Sequence, residues 1–241
     1  VEKLGTIYEK ITDYLINYKK IVIPVAYILL ICVPFLGLGQ YVMRVLCLIG
    51  IYSILTMSLN LIAGYMGQTS MGHAALYCLG GYFSALLGSK LGWPFWITIF
   101  FGIAGGALGG LVLGLSTMRL SGSYLAVITL AFAEVIEMIV LNWNGVTNGP
   151  LGVRNIPRPN FFGVELTTAN GGFYWLMLVL VTITILVSIC VVNSKFGRAV
   201  RAIKEDELAA KLMGVNTASY KVQTIVLSGA MAGMAGAFYA S

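Results

Sequence analysis

The chain has 241 residues, of which 59% are hydrophobic and only 10% carry a formal charge. Soluble domains carry charges on about 25% of their residues, so this composition excludes an ordinary soluble globular protein. The net charge of +6 does not indicate nucleic-acid binding, because basic residues in a membrane protein mark its cytoplasmic side. The composition predicts an all-α protein, a polytopic transmembrane helix bundle in contact with lipid.

The first 18 residues place apolar and aromatic side chains on one side of a predicted helix, at Leu4, Ile7, Tyr8, Ile11, Tyr14, Leu15 and Tyr18. This spacing predicts an amphipathic interfacial helix over 1–18, although an ordinary lead-in to the first membrane segment fits equally. Position 1 is Val, and the last apolar segment stops at Ser241 without a polar tail. We therefore expect a piece of a longer protein with further segments.

Residues 19–241 predict a transmembrane domain, since about 20 apolar residues cross about 30 Å of hydrocarbon. About seven segments are expected, at 20–39, 41–63, 69–88, 93–115, 121–142, 172–193 and 222–241. With a cytoplasmic N-terminus, all basic residues fall inside except four, which are Arg44, Lys90, Arg154 and Arg158. This asymmetry favours that orientation, and it makes the connector 194–220 cytoplasmic.

The fourth segment carries a glycine at every fourth position, namely Gly102, Gly106, Gly110 and Gly114. These residues lie on one face of the predicted helix, where the backbone of another helix can approach closely. Such strips occur in many unrelated membrane proteins. We therefore interpret the four glycines as helix-packing positions and not as evidence of a function.

Polar groups at membrane depth are costly and usually face a cavity or another helix. Glu134 and Glu137 are three residues apart, so they share one face of the fifth segment, in its outer half. They are candidates to line a substrate path or to relay protons; side chains that simply reach the outer interface fit as well.

Asn60, Gln68 and the single histidine, His73, occur where nearby glycines interrupt the helical pattern. Broken helices are tolerated in membranes only where protein or water covers them, so residues 64–73 predict a gate or a cytoplasmic turn. The three side chains are further candidates for the path. A hydrogen-bonded packing role is the plainer interpretation of His73.

The segment 144–172 is external in this orientation and is rich in Gly, Asn and Pro, so turns are expected. It either caps an entry path or receives a soluble partner, or it is a passive connector.

The sequence contains no catalytic or metal-binding pattern. There is no Gly-Lys dipeptide, which excludes a Walker-type phosphate loop, and the four cysteines stand in apolar runs without metal-like spacing. We expect no enzymatic activity and no cofactor bound by this chain. Energy for uphill transport would come from an ion gradient or from another subunit.

A charged island, GRAVRAIKEDELAAKLMGVN at 197–216, interrupts the apolar runs. Its alanines favour a helix, and Glu207 is spaced to pair with Lys204 and Lys211. Gly214 is the predicted stop, and Asn216 or Thr217 is expected to cap a following turn. The island therefore predicts one short cytoplasmic helix, either a surface shield or a docking element for a motor.

Four blocks in this order resemble the permease subunits of branched-chain amino-acid ABC importers (LivM type). They are LNLIAGYMGQTSMGHAALYCLGGYFSALL, GSYLAVITLAFAEVI, TNGPLGV and GRAVRAIKEDELAAKLMGVN. By this resemblance the last block is the coupling helix, which seats in a groove of the ATPase. Ala209, Ala210 and Gly214 match its Ala-Ala-x-x-x-Gly core, whereas Leu208 stands where the family places Glu and Glu207 comes one residue early.

The resemblance implies a permease subunit of an ATP-driven, binding-protein-dependent importer of leucine, isoleucine and valine. It also implies a second related permease, two ATPase subunits that hold ATP and Mg, and a periplasmic or extracellular substrate-binding protein. The expected location is the plasma (inner) membrane of a prokaryote. The predicted coupling residues are Arg201, Glu205, Glu207, Ala209, Ala210 and Gly214.

Three alternatives fit the same residues. Importers of urea or short-chain amides use very similar permeases, and nothing in these residues excludes them. A secondary transporter would be driven through Glu134 or Glu137 and would need no ATPase. A purely structural membrane subunit would tolerate charge reversal within 201–211.

Overall fold

The fold is described from a computed structural model, which places residues 27, 30–36, 39–118, 120, 122–154, 156–161, 164–165 and 171–241. The predicted amphipathic helix 1–18 lies outside these residues, as does most of the first predicted segment. The chain divides into two compact units, Val1–Arg44 and Val45–Ser241. The first contains a short 3-10 helix, Val33–Leu36, and the side-chain contacts discussed below lie in the second.

The described chain is a bundle of α-helices, as the composition predicts. The helices are α1 Gln40–Asn60, α2 His73–Leu91, α3 Phe95–Thr117, α4 Ser123–Asn142, α5 Asn144–Thr147, α6 Gly172–Asn193, α7 Lys195–Glu205, α8 Glu207–Leu212 and α9 Thr217–Ala240. A π-helical turn, Leu61–Tyr65, continues α1. The segment 144–172 contains a 3-10 turn, Gly149–Leu151, and an antiparallel hairpin of β1 Asn160–Phe161 and β2 Val164–Glu165.

Five helical segments of the described chain are long and apolar enough to cross a membrane, at Gln40–Tyr65, Phe95–Thr117, Tyr124–Asn142, Gly172–Asn193 and Thr217–Ala240. The 19-residue α2 matches the third predicted segment; it is long enough to cross but less apolar, because it begins with His73 and contains Lys90. The chain is therefore a multi-pass membrane protein.

The predicted single helix across the charged island is wrong, because the structure has two helices there. Asp206 has extended backbone (φ −154°) between α7 and α8. Its carboxylate accepts hydrogen bonds from the N–H groups of Leu208 and Ala209, at 2.8 and 3.0 Å. An Asp that caps a helix start in this way satisfies donors that the first turn leaves free, so α8 begins anew after it.

The helices α2, α3 and α9 form the centre of the bundle and approach each other through glycines. A Cβ atom on Gly106 would collide with the carbonyl oxygen of Gly229, and one on Gly110 would lie 2.7 Å from the carbonyl oxygen of Ile225. A Cβ atom on Gly102 would collide with the side chain of Ala237, whereas one on Gly114 would lie 3.2 Å from Val222, which is tight but not a collision. All four predicted packing glycines thus face α9, and the first three face it at distances that leave no room for a side chain.

Candidate functional site

Helix α7 is amphipathic and lies against the bundle on one face. Ser194 caps it by accepting a hydrogen bond from the Gly197 N–H at 3.3 Å. Val200 and Ile203 are buried, whereas the charged side chains of Arg198, Lys204 and Glu205 remain exposed.

Arg201 contacts the elbow that joins α6 to α7. Its Nη2 donates to the carbonyl oxygen of Val192 at 2.7 Å, and its Nε donates to that of Gly197 at 3.3 Å. The last carbonyls of a helix have no partner within that helix, and Arg201 satisfies one of them at the end of α6.

Helix α8 has two different faces. Ala210 is buried, and Glu207, three residues earlier, shares its face. The opposite face presents Leu208 and Leu212, which are 69% and 80% exposed. Gly214, the predicted stop, has φ +86°, a conformation in which glycine carries no steric penalty. Asn216, one of the two predicted caps, accepts a 3.2 Å hydrogen bond from the Ser219 N–H and caps the helix α9 rather than a turn.

Glu207 pairs with a residue that the sequence analysis did not assign to it. Its Oε1 lies 2.6 Å from Lys221 Nζ in α9, rather than beside Lys204 or Lys211. Lys221 is only 2% exposed, whereas Glu207 is 41% exposed. The sequence does contain a signal for this ion pair: Lys221 is a solitary lysine directly before the last apolar segment, close in sequence to the island.

The charged helices also contact the broken end of α1. Lys204 Nζ donates a 2.9 Å hydrogen bond to the carbonyl oxygen of Gly64 in the π-helical turn, and the Lys204 stem lies over Gly67. The N–H groups of Met66 and Gln68 donate to the carbonyls of Leu61 and Ile62, at 3.2 and 3.1 Å. The predicted break at 64–73 and the charged island therefore lie at the same end of the bundle.

His73 takes part in a buried contact between three helices. Its Nε2 lies 2.7 Å from Ser58 Oγ, and Ser228 Oγ donates to the Ser58 carbonyl oxygen. All three side chains are buried, so α1, α2 and α9 are joined by polar contacts here. Gln68 is also buried. The packing interpretation of His73 fits this geometry, and sequence analysis missed both serines because isolated serines are common in membrane helices.

Asn60 faces a groove instead. A groove of about 270 Å³ runs between the end of α1 and the end of α6, lined by polar groups that include Asn60, Tyr65, Ser188 and Asn193. Ser188 Oγ is buried and has no hydrogen-bond partner among the described residues. The Asn60 side chain also occupies the space beside Gly64, where a Cβ atom would collide with it.

Glu134 and Glu137 are both exposed on α4. Glu137 is close enough to Cys78 to interact electrostatically with it. Cys78 lines a separate cavity of about 350 Å³, together with Tyr77, Tyr82, Gly152 and Tyr239. The structure therefore does not bring the five predicted path residues together: Asn60 lines the groove, Gln68 and His73 are buried, and the two glutamates lie on α4.

Comparison with known proteins places this arrangement in a family. Residues 41–241 match the family described as branched-chain amino acid transport system / permease component.

The chain belongs to this permease family.

Similar curated proteins include two high-affinity branched-chain amino acid transport system permease proteins named LivM. The chain is 34% identical to that of Escherichia coli (strain K12) over 215 residues and 32% identical to that of Salmonella typhimurium over 213 residues. Each match covers 79% of this chain and 50% of the relative. The permease described here thus spans half the length of these relatives.

This permease is also similar to LivH, another permease protein of the same transport system. The E. coli LivH is 24% identical over 211 residues, which cover 77% of this chain and 65% of LivH. No solved structure matches the chain. Membership of the permease family agrees with the resemblance carried by the four sequence blocks.

Proposed function

We propose that this chain is the transmembrane permease subunit of an ATP-driven, binding-protein-dependent importer of branched-chain amino acids. One observation carries the mechanism: α8 presents an exposed apolar face while its opposite face is tied to the bundle by an ion pair. A short helix of this kind suits the transmission of movement from a soluble partner to membrane helices. We take α7 and α8, within the loop 194–220, as the coupling element.

The exposed face of α8 is the proposed contact with the ATPase. Leu208, Leu212 and Met213 are exposed on this helix and directly after it, and large apolar side chains grouped at a surface mark interaction sites. Ala209 and Gly214 give the partner close access to the backbone. Glu205 and Lys211 are exposed beside this face, where they can supply polar contacts at its rim.

ATP and Mg are bound by two partner ATPase subunits in this proposal, and no cofactor is bound by this chain. Closure of the ATPase dimer would shift α8 and so switch the bundle between outward- and inward-facing states. The similarity to both LivM and LivH supports pairing with a second, related permease. A substrate-binding protein would deliver the amino acid on the opposite side of the membrane.

The proposed location is the inner membrane of a prokaryote, with the N-terminus and the coupling element in the cytoplasm. The excess of basic residues on the side of the island supports this orientation. In this orientation, the groove beside Asn60 would lie at the cytoplasmic exit, and the cavity beside Cys78 and Tyr239 would lie towards the outer side.

The proposed substrates are leucine, isoleucine and valine, because the LivM and LivH relatives are named for branched-chain amino acids. Such a zwitterion needs polar groups for its charges and an apolar space for its side chain. Among the path candidates, Asn60 borders the open groove and Glu137 lies near the cavity that Cys78 lines. We retain these two residues as candidates for the substrate path.

The deciding experiment measures uptake into vesicles that contain the full-length protein, its co-purifying partners and its binding protein. Labelled leucine and labelled urea are compared, with and without ATP on the cytoplasmic side, and with and without a protonophore. We expect leucine uptake that requires ATP and is insensitive to the protonophore. Urea uptake would replace the substrate, and gradient-driven uptake without ATP would reject the ABC mechanism in favour of a secondary transporter.

A further inference from the structure

The contact between Glu207 and Lys221 is more than a surface ion pair. Exposed pairs contribute little, because water solvates both charges equally well. Here the ammonium group belongs to a side chain that is 2% exposed, and a charge removed from water is stabilised only if opposite charge or hydrogen bonds replace its hydration. Glu207 supplies that charge, since its Oε1 lies 2.6 Å from Lys221 Nζ. The buried ammonium group of Lys221 is therefore stabilised by Glu207.

The geometry links α8 directly to α9. Lysine side chains in helices lean towards the helix N-terminus, so Lys221, in the second turn of α9, extends towards the island. Helix α8 is only six residues long and lies between two backbone breaks, at Asp206 and Gly214. Among the residues that the structure describes, α8 is connected to the bundle by this ion pair and by the buried side chain of Ala210.

The position of the acidic residue decides which way it faces. Leu208 occupies the position where the resemblance expects Glu, and it is exposed. The acid stands one residue earlier, which rotates it by about 100° around a helix. Glu207 therefore faces α9, and Leu208 takes the outward position.

We propose that Glu207 is a positioning residue: its ion pair with Lys221 makes α9 follow the movement of α8, and it does not contact the ATPase. This inference rests on the proposed ATP-driven function. Two neighbouring residues of the coupling element then have different roles: Glu207 faces α9, and Leu208 faces the ATPase.

The test uses the complete complex, reconstituted with its binding protein, and measures the amount of leucine transported per ATP hydrolysed. We expect Glu207→Gln and Lys221→Gln each to lower this ratio at least tenfold while ATP hydrolysis falls less than twofold. The exchanged pair, Glu207→Lys with Lys221→Glu, should return the ratio to within threefold of wild type. Arg44→Gln, which removes an exposed charge in the first turns of α1, away from the coupling element, should leave the ratio unchanged.

An unchanged ratio in Glu207→Gln would overturn the inference. So would an exchanged pair that assembles but stays uncoupled, because it would mean that Glu207 acts through a partner outside this chain. Should the single variants fail to assemble, the neutral pair Glu207→Gln with Lys221→Gln leaves no unpaired buried charge and replaces them; a wild-type ratio there would overturn the inference as well. A wild-type complex without ATP-dependent uptake would instead reject the proposed function.

Discussion

Lys204 Nζ donates a 2.9 Å hydrogen bond to the carbonyl oxygen of Gly64, across 140 positions of sequence. The contact supports a π-helical turn, in which carbonyls lack the regular i→i+4 partners of an α-helix. It also connects the proposed coupling element to the groove beside Asn60. Movement of α7 would therefore act on the broken end of α1 as well as on α9.

Replacement of Lys204 by Met should loosen the π-helical turn. Met keeps an unbranched side chain over Gly67 but cannot donate to Gly64. Because the bond is exposed, we expect a loss of about 1 kcal/mol, or roughly fivefold faster amide hydrogen exchange at Met66 and Gln68. Lys211→Met, at an exposed site on α8, is the control. Equal exchange in both variants would show that Lys204 does not hold the turn.

Replacement of His73 by Leu distinguishes packing from a place on the path. It removes the contact with Ser58 and leaves a buried polar group with fewer partners, at a cost of about 1–3 kcal/mol. We expect a lower unfolding temperature for the purified complex but unchanged leucine uptake per assembled complex. Ser53→Ala removes a hydroxyl that bonds to the Ile49 carbonyl of its own helix and should change neither. Reduced uptake at unchanged stability would return His73 to the path.

Replacement of Gly106 by Ala should push α3 away from α9. The added methyl group would collide with the carbonyl oxygen of Gly229 and with Gly233, and overpacking of this kind costs about 1–3 kcal/mol. Thermal unfolding of the complex measures the loss. At Gly145, a Cβ atom would meet no atom of the described residues within 4 Å, so Gly145→Ala should keep wild-type stability. Equal stability of the two variants would contradict the close packing.

Replacement of Leu212 by Asp should prevent stable binding of the ATPase. The side chain is exposed, so the subunit should still fold, while a carboxylate in an apolar contact loses its hydration without a partner. We expect the ATPase to be recovered with the purified permease at no more than a tenth of the wild-type amount. Leu151→Asp alters a similarly exposed leucine in the segment 144–172 and should leave recovery unchanged. Full recovery with Leu212→Asp would exclude this face as the docking site.

The membrane helices of the described chain could be predicted because hydropathy depends on local composition. The stop at Gly214 and the cap at Asn216 could also be predicted, since both depend on one or two neighbouring residues. The break at Asp206 was not predicted. The alanines and charged residues around it favour one continuous helix, so the sequence gives no clear sign that Asp206 caps a second helix.

The contacts of the candidate site were harder to predict because they join distant parts of the sequence. Glu207 has lysines at ideal helical spacing, yet its partner is Lys221, which is brought close by the turn around Gly214. Lys204 finds a carbonyl near the end of α1 for the same reason. Local spacing identified the charged residues but could not determine which charges meet.

The glycine contacts between α2, α3 and α9 determine what a push on α9 can accomplish. Gly80 and Gly106 meet the backbone of Gly233 without an intervening side chain, so a rotamer change at these points cannot absorb a displacement. A shift of α9 through Lys221 would therefore carry α2 and α3 along as one block. Helices α4 and α6 bury far less of their surface in this bundle and would stay behind. The proposed substrate path would then open or close along the boundary between the moving block and these two helices.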